Sequence, residues 1–158
     1  EQFRYLTEKL NGYITGAYIY NKMGLTEQVA TTITIATPNP VRRFRFKNLD
    51  VECVKAYYTD YSDESLIPYL RLLDAIKDMK RIPGTTGQDI YNRVKSQYFN
   101  GYSLPELEKI VSLAKSYPPR VRKVVADILG DIRQTVLQTE MAKTILPTTR
   151  FNLDYKTA

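Results

Sequence analysis

The hydrophobic pattern of this chain changes its period near residue 60, and that change limits the folds open to it. Between residues 29 and 53 apolar and polar residues alternate, which is the period of a β-strand with one buried face. Beyond residue 60 the apolar residues recur every three or four positions, as on amphipathic helices. The pattern predicts an α+β fold, in which a small antiparallel β-sheet packs with helices and a mostly helical C-terminal part follows.

Three short strands are predicted in the first half of the chain. The first covers residues 29–37, which are rich in Val, Thr and Ile, and it ends at the prolines of residues 38–40. The second covers residues 42–47, and a turn at 47–48 leads into a third strand, whose residues 49–53 alternate in the same way. Because the connections are short, we expect the three strands to form an antiparallel meander.

Two short helices are predicted before the sheet. The first begins at Phe3 and ends at the Asn-Gly pair of residues 11–12, a common helix stop. The hydroxyl of Thr15 can cap the second helix, and Gly24 can end it in the left-handed conformation. We therefore expect helical segments immediately before the first strand.

The second half of the chain is predicted to contain five helices. Ser62 or Asp63 can cap the first of them. Ser103 with Glu106 three residues later is a capping-box pattern, and Gly130 is expected to interrupt the fourth helix. The predicted helices start near residues 62, 88, 103, 119 and 133.

These periods and breaks divide the chain into three segments. Residues 1–60 form the block of helices and strands, residues 61–145 form the helical part packed on it, and residues 146–158 form an extended tail. A chain of 158 residues is long enough to bury the core of one ordinary domain. We therefore expect the first two segments to fold as one compact domain.

The sequence lacks histidine and contains a single cysteine, Cys53. The usual general base, the usual zinc ligand and every Ser-His or Cys-His nucleophile pair are therefore missing, as is any disulfide within this sequence. Asp127 and Asp131 lie four residues apart, but no third metal ligand stands near them. We expect a protein that is not an enzyme, with no catalytic residues, no metal ion and no cofactor.

The composition is that of a soluble globular protein, with 43% hydrophobic and 25% charged residues. No stretch approaches the roughly 18 consecutive apolar residues of a membrane span. The N-terminus shows neither the basic start nor the apolar run of a secretory signal. We expect a cytoplasmic protein with no membrane partner.

The net charge is +6, and part of it is concentrated on the second predicted strand. The basic residues there are Arg42, Arg43, Arg45 and Lys47. Alternation places the last three on one face of the strand, where they could bind the phosphates of a nucleic acid. The same row could instead be a solvated face that pairs with Asp50 and Glu52 of the neighbouring strand.

A second basic cluster surrounds the proline pair at residues 118–119. Its members are Lys115, Arg120, Arg122 and Lys123. Near a helix start, such a cluster could position a nucleic-acid backbone or an acidic partner surface. The alternative is that it forms the solvent-exposed face of an amphipathic helix.

Tyrosine is unusually frequent, with 13 residues against 5 phenylalanines and no tryptophan. Tyr57, Tyr58 and Tyr61 crowd together after the third predicted strand. Beside basic residues, exposed tyrosines suit base stacking or protein recognition, because each offers a flat apolar ring with a polar tip. They could equally fill a half-buried boundary between helices and sheet.

Four short motifs carry a resemblance to a known family. Tyr-Ile-Thr-Gly at 13–16, Gly-Leu-Thr-x-Gln-Val at 24–29, Ile-Ala-Thr at 35–37 and Arg-Arg at 42–43 occur in this order. In order and spacing they resemble the antitoxin half of AbiE-type (type IV) toxin–antitoxin operons. They are more similar still to related bacterial proteins described as transcriptional regulators, over roughly residues 5–132.

The resemblance implies a recognition role and carries over no catalytic motif. In the family, a winged-helix domain that binds operator DNA precedes this region, and this chain begins about where that domain would end. The remaining part is implicated in neutralising a partner toxin, a nucleotidyltransferase-like protein. The expected function is thus a non-catalytic recognition domain of an antitoxin-like regulator. The alternative is a self-sufficient nucleic-acid-binding module that uses the basic strand of residues 42–47.

Overall fold

The computed structural model describes residues 2–151 and residue 155, and its first half is built around a mixed four-stranded sheet. The strands are β1 (Tyr13–Thr15), β2 (Thr32–Thr37), β3 (Phe44–Phe46) and β4 (Leu49–Lys55), in the spatial order β1-β2-β4-β3. β2 and β4 run parallel, whereas β1 pairs with β2 and β3 pairs with β4 in antiparallel fashion. The sheet therefore has β1 and β3 at its two edges.

Seven α-helices among the described residues surround the sheet and form most of the second half of the chain. They are α1 (Gln2–Leu10), α2 (Ala17–Lys22), α3 (Ile67–Lys77), α4 (Gly87–Gln97), α5 (Leu104–Ala114), α6 (Pro119–Asp131) and α7 (Thr135–Ala142). Short 3₁₀ turns precede α3 and follow α4. α3 contacts β1 on one side and α4, α5 and α6 on the other, so it lies between the sheet and the helical half. The predicted α+β class is confirmed.

The predicted antiparallel meander is wrong. After β2 the chain crosses to the sheet edge, forms β3 there and returns as β4 between β3 and β2. Burial accounts for this order. β4 buries Val51 and Cys53 and lies in the middle of the sheet, whereas Arg45 of β3 is exposed, and a charged strand suits an edge that must not pair further.

The strand β1 replaces the start of a predicted helix. Thr15 does not cap α2, because it is buried in β1 and donates its hydroxyl to Asp74 at 2.8 Å. Gly16 takes the N-cap position with a φ of 81°, and a Cβ there would lie 2.5 Å from Thr34. Gly24 follows α2 with a φ of 78°, so the predicted stop at this glycine is confirmed.

Local caps are confirmed in the helical half. The Ser103 hydroxyl accepts from the Glu106 amide while the Glu106 carboxylate accepts from the Ser103 amide, which is the predicted capping box of α5. Asp63 caps the 3₁₀ turn that leads into α3 by accepting from the amide of Ser65. Both signals involve residues two or three positions apart, and tertiary packing does not override them.

The predicted interruption at Gly130 is wrong. α6 continues to Asp131, and Arg133 makes the break with a φ of 65°. Gly130 lies against α7, where a Cβ would come within 2.6 Å of the side-chain nitrogen of Gln138. The missing side chain thus permits close packing of α6 and α7 and does not end the helix.

The predicted C-terminal tail lies partly outside the described residues, which omit 152–154 and 156–158. Tyr155 is described and is buried, with its hydroxyl 2.7 Å from a carboxylate oxygen of Asp127. Its ring centre lies 5.1 Å from that of Tyr91 on α4. The side chain of Tyr155 therefore packs against α4 and α6.

Candidate functional site

The carboxylate of Asp74 on α3 is buried and fully engaged. Tyr13 and Thr15 of β1 each donate a hydroxyl to its Oδ2 at 2.8 Å, and Tyr117 donates to its Oδ1 at 2.7 Å. Burial raises the pKa of the Asp74 carboxyl, while Lys77 and the three hydroxyl donors act in the opposite direction. The network joins β1, α3 and the segment before α6, and it presents no reactive group to solvent.

Four more tyrosine–carboxylate hydrogen bonds join separate parts of the chain. The pairs are Tyr20 with Asp78 (2.7 Å), Tyr69 with Glu106 (2.9 Å), Tyr91 with Asp131 (2.6 Å) and Tyr155 with Asp127 (2.7 Å). Burial and the neighbouring carboxylate raise the phenol pKa of Tyr20 and of Tyr91, so both stay donors. Much of the tyrosine excess therefore serves tertiary structure.

The basic residues 42–47 lie in and around β3, which covers Phe44–Phe46 alone, and two of them face carboxylates of β4. Arg43 lies 3.6 Å from Glu52 and Arg45 lies 2.9 Å from Asp50, yet the arginine side chains remain 70% and 64% exposed. Lys47 places its ammonium 5.5 Å from the centre of the Phe46 ring. Exposed ion pairs of this kind contribute little to stability, but each carboxylate reduces the positive potential of the row. Arg42 is exposed in the segment before β3 and forms no ion pair with any described residue.

Most of the second basic cluster is engaged within the chain. Arg122 is half-buried and donates to the backbone carbonyls of Tyr117 and Thr144. Lys123 forms an ion pair with Asp127 at 3.1 Å, one helical turn away. Lys115 pairs in the same manner with Glu140 of α7 at 3.0 Å. Of the four basic residues, Arg120 is exposed and has no carboxylate partner among the described residues.

The three clustered tyrosines have different environments. Tyr61 is buried, donates its hydroxyl to the carbonyl of Asn11 and packs edge-on against Tyr13. Tyr58 is half-buried near the core. Tyr57 is half-buried too, with its ring centre 5.3 Å from that of Tyr117. The three tyrosines therefore do not form one exposed edge, and Tyr57 and Tyr58 alone are partly accessible.

Two lysines from different elements converge on the ring of Tyr57, and an arginine lies beside one of them. Lys55 at the end of β4 and Lys77 at the end of α3 place their ammonium groups 5.4 and 5.6 Å from the centre of its ring. Arg120 of α6 donates a guanidinium N–H to the carbonyl of Lys77 at 2.9 Å. We call Lys55, Tyr57, Lys77 and Arg120 the Tyr57 patch. It unites members of two separately predicted groups, Tyr57 and Arg120.

Sequence reasoning missed the two lysines of this patch. Lys55 is the last residue of β4, and no charge pattern in the sequence marks it. Lys77 lies in the last turn of α3, where basic residues are common because they favour the helix dipole. Lys77 also lies 3.7 Å from Asp78, and its side chain is 13% exposed. The distance between each lysine and the Tyr57 ring depends on the relative position of β4 and α3, which a single sequence does not show.

A cleft of about 830 Å³ lies between α1, β1, the segment of residues 59–64 and α3. Arg71 of α3 lines it and donates from Nε to the carbonyl of Ile14 at 2.8 Å. Burial lowers the pKa of the Arg71 guanidinium, and Tyr13 and Asp74 oppose that effect. The other charged residues that line the cleft are Arg4, Glu8, Asp60 and Glu64. We call this the Arg71 cleft; the sequence offered no signal for it, because its walls come from distant segments.

Residues 2–151 and 155 contain no group of three or more cysteine, aspartate or glutamate side chains that could hold a metal ion. None of the helices in these residues is long and apolar enough to cross a bilayer. What the Tyr57 patch and the Arg71 cleft offer is fixed charge beside aromatic rings, which suits non-covalent recognition.

Comparisons with protein-family models, with curated proteins and with solved structures found no match to this chain.

Proposed function

We propose that this chain is a non-catalytic recognition domain of an antitoxin-like transcriptional regulator in the cytoplasm, and that it binds a partner toxin protein of the nucleotidyltransferase-like kind. The resemblance of its four motifs supplies the family. The Tyr57 patch is the structural observation that supports a recognition role, because it places two lysine ammoniums beside an aromatic ring, with the exposed Arg120 hydrogen-bonded to the backbone of Lys77. Such a surface fits an acidic region of a partner protein.

Two properties of the patch favour a protein over a stacked nucleic-acid base. The Tyr57 ring already packs on Tyr117, and both lysine ammoniums lie over it, so a base would have to displace a lysine to stack. In addition, Asp78 lies within 3.7 Å of Lys77 and lowers the local positive potential. A mixed surface of this kind discriminates between protein partners better than it binds a uniform phosphate backbone.

Affinity capture from lysate of the source organism tests the function. The immobilised domain is washed at moderate salt, and bound proteins are identified by mass spectrometry. We expect a nucleotidyltransferase-like protein to be recovered. Recovery of nucleic acid alone, or of no such protein, would contradict the toxin-binding function.

Two charge-reversal variants then test the patch. Lys55→Glu reverses a cation over Tyr57, and Lys109→Glu is the matched control, because Lys109 is exposed and lies 5.5 Å from the centre of the Tyr69 ring. We expect Lys55→Glu to reduce recovery of the partner about tenfold or more, which corresponds to about 1.4 kcal/mol. Equal recovery with both variants would place the interface elsewhere on the domain.

A second candidate function is nucleic-acid binding through the basic segment of residues 42–47, which contains β3. It is favoured by the exposure of Arg43 and Arg45, whose ion pairs lie at the surface and leave most of each side chain accessible. Binding of a labelled DNA duplex should then weaken steeply with salt. The double variant Arg43→Ala/Arg45→Ala should reduce the slope of log K against log salt by about 2, close to one for each lost phosphate contact. Absent or salt-insensitive binding would eliminate this candidate.

A further inference from the structure

We infer that the Arg71 cleft binds a peptide segment that carries an acidic side chain close to a basic one, and that Arg71 holds the carboxylate. This site lies on other elements than the Tyr57 patch and is assigned by its own geometry. The inference rests on the proposed function in one respect, namely that the natural ligand is part of a protein.

The orientation of Arg71 is fixed before any ligand binds. Its Nε–H donates to the carbonyl of Ile14 in β1, which holds the guanidinium against the wall of the cleft. The two terminal nitrogens form no hydrogen bond or ion pair with the described residues. The edge between these two terminal nitrogens is free and matches a carboxylate in bidentate geometry. Pre-organisation reduces the entropy lost when such a contact forms.

The nearest buried carboxylate does not satisfy Arg71. Asp74 lies three residues further along α3, but its two oxygens accept hydroxyls from Tyr13, Thr15 and Tyr117. No ion pair joins Arg71 to Asp74 among the described residues, although their charges interact over a longer distance. Arg71 is half-buried, so its positive charge is partly desolvated, and an anion entering the cleft would compensate it.

The rest of the cleft selects against a purely anionic ligand. Besides Arg71, the charged lining residues are the exposed Arg4 of α1 and three carboxylates, Glu8 of α1 and Asp60 and Glu64 before α3, so carboxylates outnumber arginines. None of the three carboxylates forms an ion pair with a described residue. Asp60 accepts only a hydroxyl, that of Ser62 at 3.2 Å. A run of phosphates would meet three carboxylates here. A ligand with both an acidic and a basic side chain would satisfy Arg71 and the carboxylates together.

The size and walls of the cleft suit a short peptide. Its volume of about 830 Å³ is at the upper end of the range of roughly 300–1,000 Å³ in which ligand pockets commonly fall. Phe3, Ile14, Tyr61 and Ile67 contribute apolar surface that aliphatic stems can cover. The cleft therefore combines the half-buried Arg71, charged walls and apolar contacts in one concave surface.

A displayed library of random heptapeptides tests the inference. It is selected on the immobilised wild-type domain and counter-selected on Arg71→Gln. We expect enriched peptides to contain Asp or Glu within two or three positions of Lys or Arg. A synthetic peptide of the most enriched sequence should bind Arg71→Gln at least tenfold more weakly than it binds the wild-type domain. The same peptide with its Asp or Glu replaced by Asn or Gln should bind the wild-type domain at least tenfold more weakly than the original peptide. Arg81→Gln is the control, since Arg81 is exposed and pairs with Asp78 outside the cleft.

Three outcomes would overturn the inference: no enrichment over the naive library, enrichment of purely acidic or purely apolar peptides, or equal affinity for Arg71→Gln and wild type. Circular dichroism of each variant verifies its fold. Should Arg71→Gln unfold, the exposed pair Glu8→Gln/Glu64→Gln replaces it, and that variant must lose the preference for a basic residue. Toxin capture that persists in Arg71→Gln, with no peptide selected, would reject this site and leave the proposed function intact.

Discussion

Desolvation and hydrogen bonding shift the pKa of the Asp74 carboxyl in opposite directions. Burial disfavours its charged form, whereas three hydroxyl donors and Lys77 favour it. Desolvation is the larger effect, so the folded protein binds the proton more tightly than the unfolded chain, where the pKa takes its ordinary value of 3.8. Between the unfolded and the folded pKa, the native state therefore carries more protons, and stability falls as pH rises.

The variant Asp74→Asn tests this sign. Asparagine does not titrate, so the free energy of unfolding of the wild type minus that of the variant isolates the contribution of Asp74. We expect this difference to decrease as pH rises from about 3.8 through the raised pKa of Asp74, and then to level off. Urea unfolding followed by circular dichroism at several pH values gives the difference. An increase over the same interval would mean that the hydroxyl donors outweigh burial.

At the scale of residues, the sequence showed which residue types are frequent but not which side chains form hydrogen bonds with one another. The excess of tyrosine was evident, but its use was not, because Tyr13 and Asp74 are 61 residues apart and Tyr91 and Asp131 are 40 apart. Arg45 and Asp50 were correctly considered as partners, because they flank one tight turn. Pairs across a hairpin are readable from one sequence, whereas pairs across the core are not.

Among the elements, α5 has the most complete local start signal. Ser103 and Glu106 satisfy two amides that would otherwise lack helical partners, and Pro105 occupies the first turn. The caps at Ser103 and Asp63 were predicted correctly, whereas the predicted cap at Thr15 was wrong, because Thr15 lies in β1 and hydrogen-bonds to Asp74. The order of the sheet strands was not predicted correctly, because the parallel pairing of β2 with β4 depends on burial in three dimensions and not on the length of connections.

Ser103→Ala should lower the free energy of unfolding by about 1 kcal/mol, since it removes the hydroxyl that accepts from the Glu106 amide. Ser112→Ala is the control within the same helix; Ser112 is exposed and its substitution should change stability by less than about 0.5 kcal/mol. Urea denaturation of both variants beside wild type provides the comparison. Equal stability of the two variants would show that the cap contributes nothing beyond helix propensity.

For the molecule as a whole, α3 joins the two halves and contributes to both proposed recognition surfaces, and α6 contributes to one of them. α3 supplies Arg71 to the cleft and Lys77 to the Tyr57 patch, and α6 supplies Arg120. Neither surface could be predicted from the sequence, because each gathers residues from segments that the hydrophobic pattern treats separately. The hydrophobic pattern predicted which faces of the helices and strands are buried. The Tyr57 patch and the Arg71 cleft lie at the edges where those buried faces come together.

Tyr155→Ala tests whether the C-terminal segment belongs to the folded unit. The substitution removes a buried ring beside Tyr91 and a hydroxyl bonded to Asp127, so we expect a loss of about 3 kcal/mol in the free energy of unfolding. Leu146→Ala provides the control, because Leu146 is 70% exposed. Thermal and urea unfolding measure both. Unchanged stability of Tyr155→Ala would show that the side chain of Tyr155 does not pack on α4 and α6 in solution.

The sheet order has a consequence for how the protein reaches its native state. β3 and β4 are joined by the turn at Lys47 and Asn48, so this pair can close early at a small cost in chain entropy. β2 meets β4 only after the chain has passed around the far edge, and their parallel pairing unites the antiparallel pair β1–β2 with the hairpin β3–β4. Both pairings of β2, with β1 and with β4, join residues much farther apart in the sequence than those of the hairpin, so we expect these two pairings to limit the folding rate.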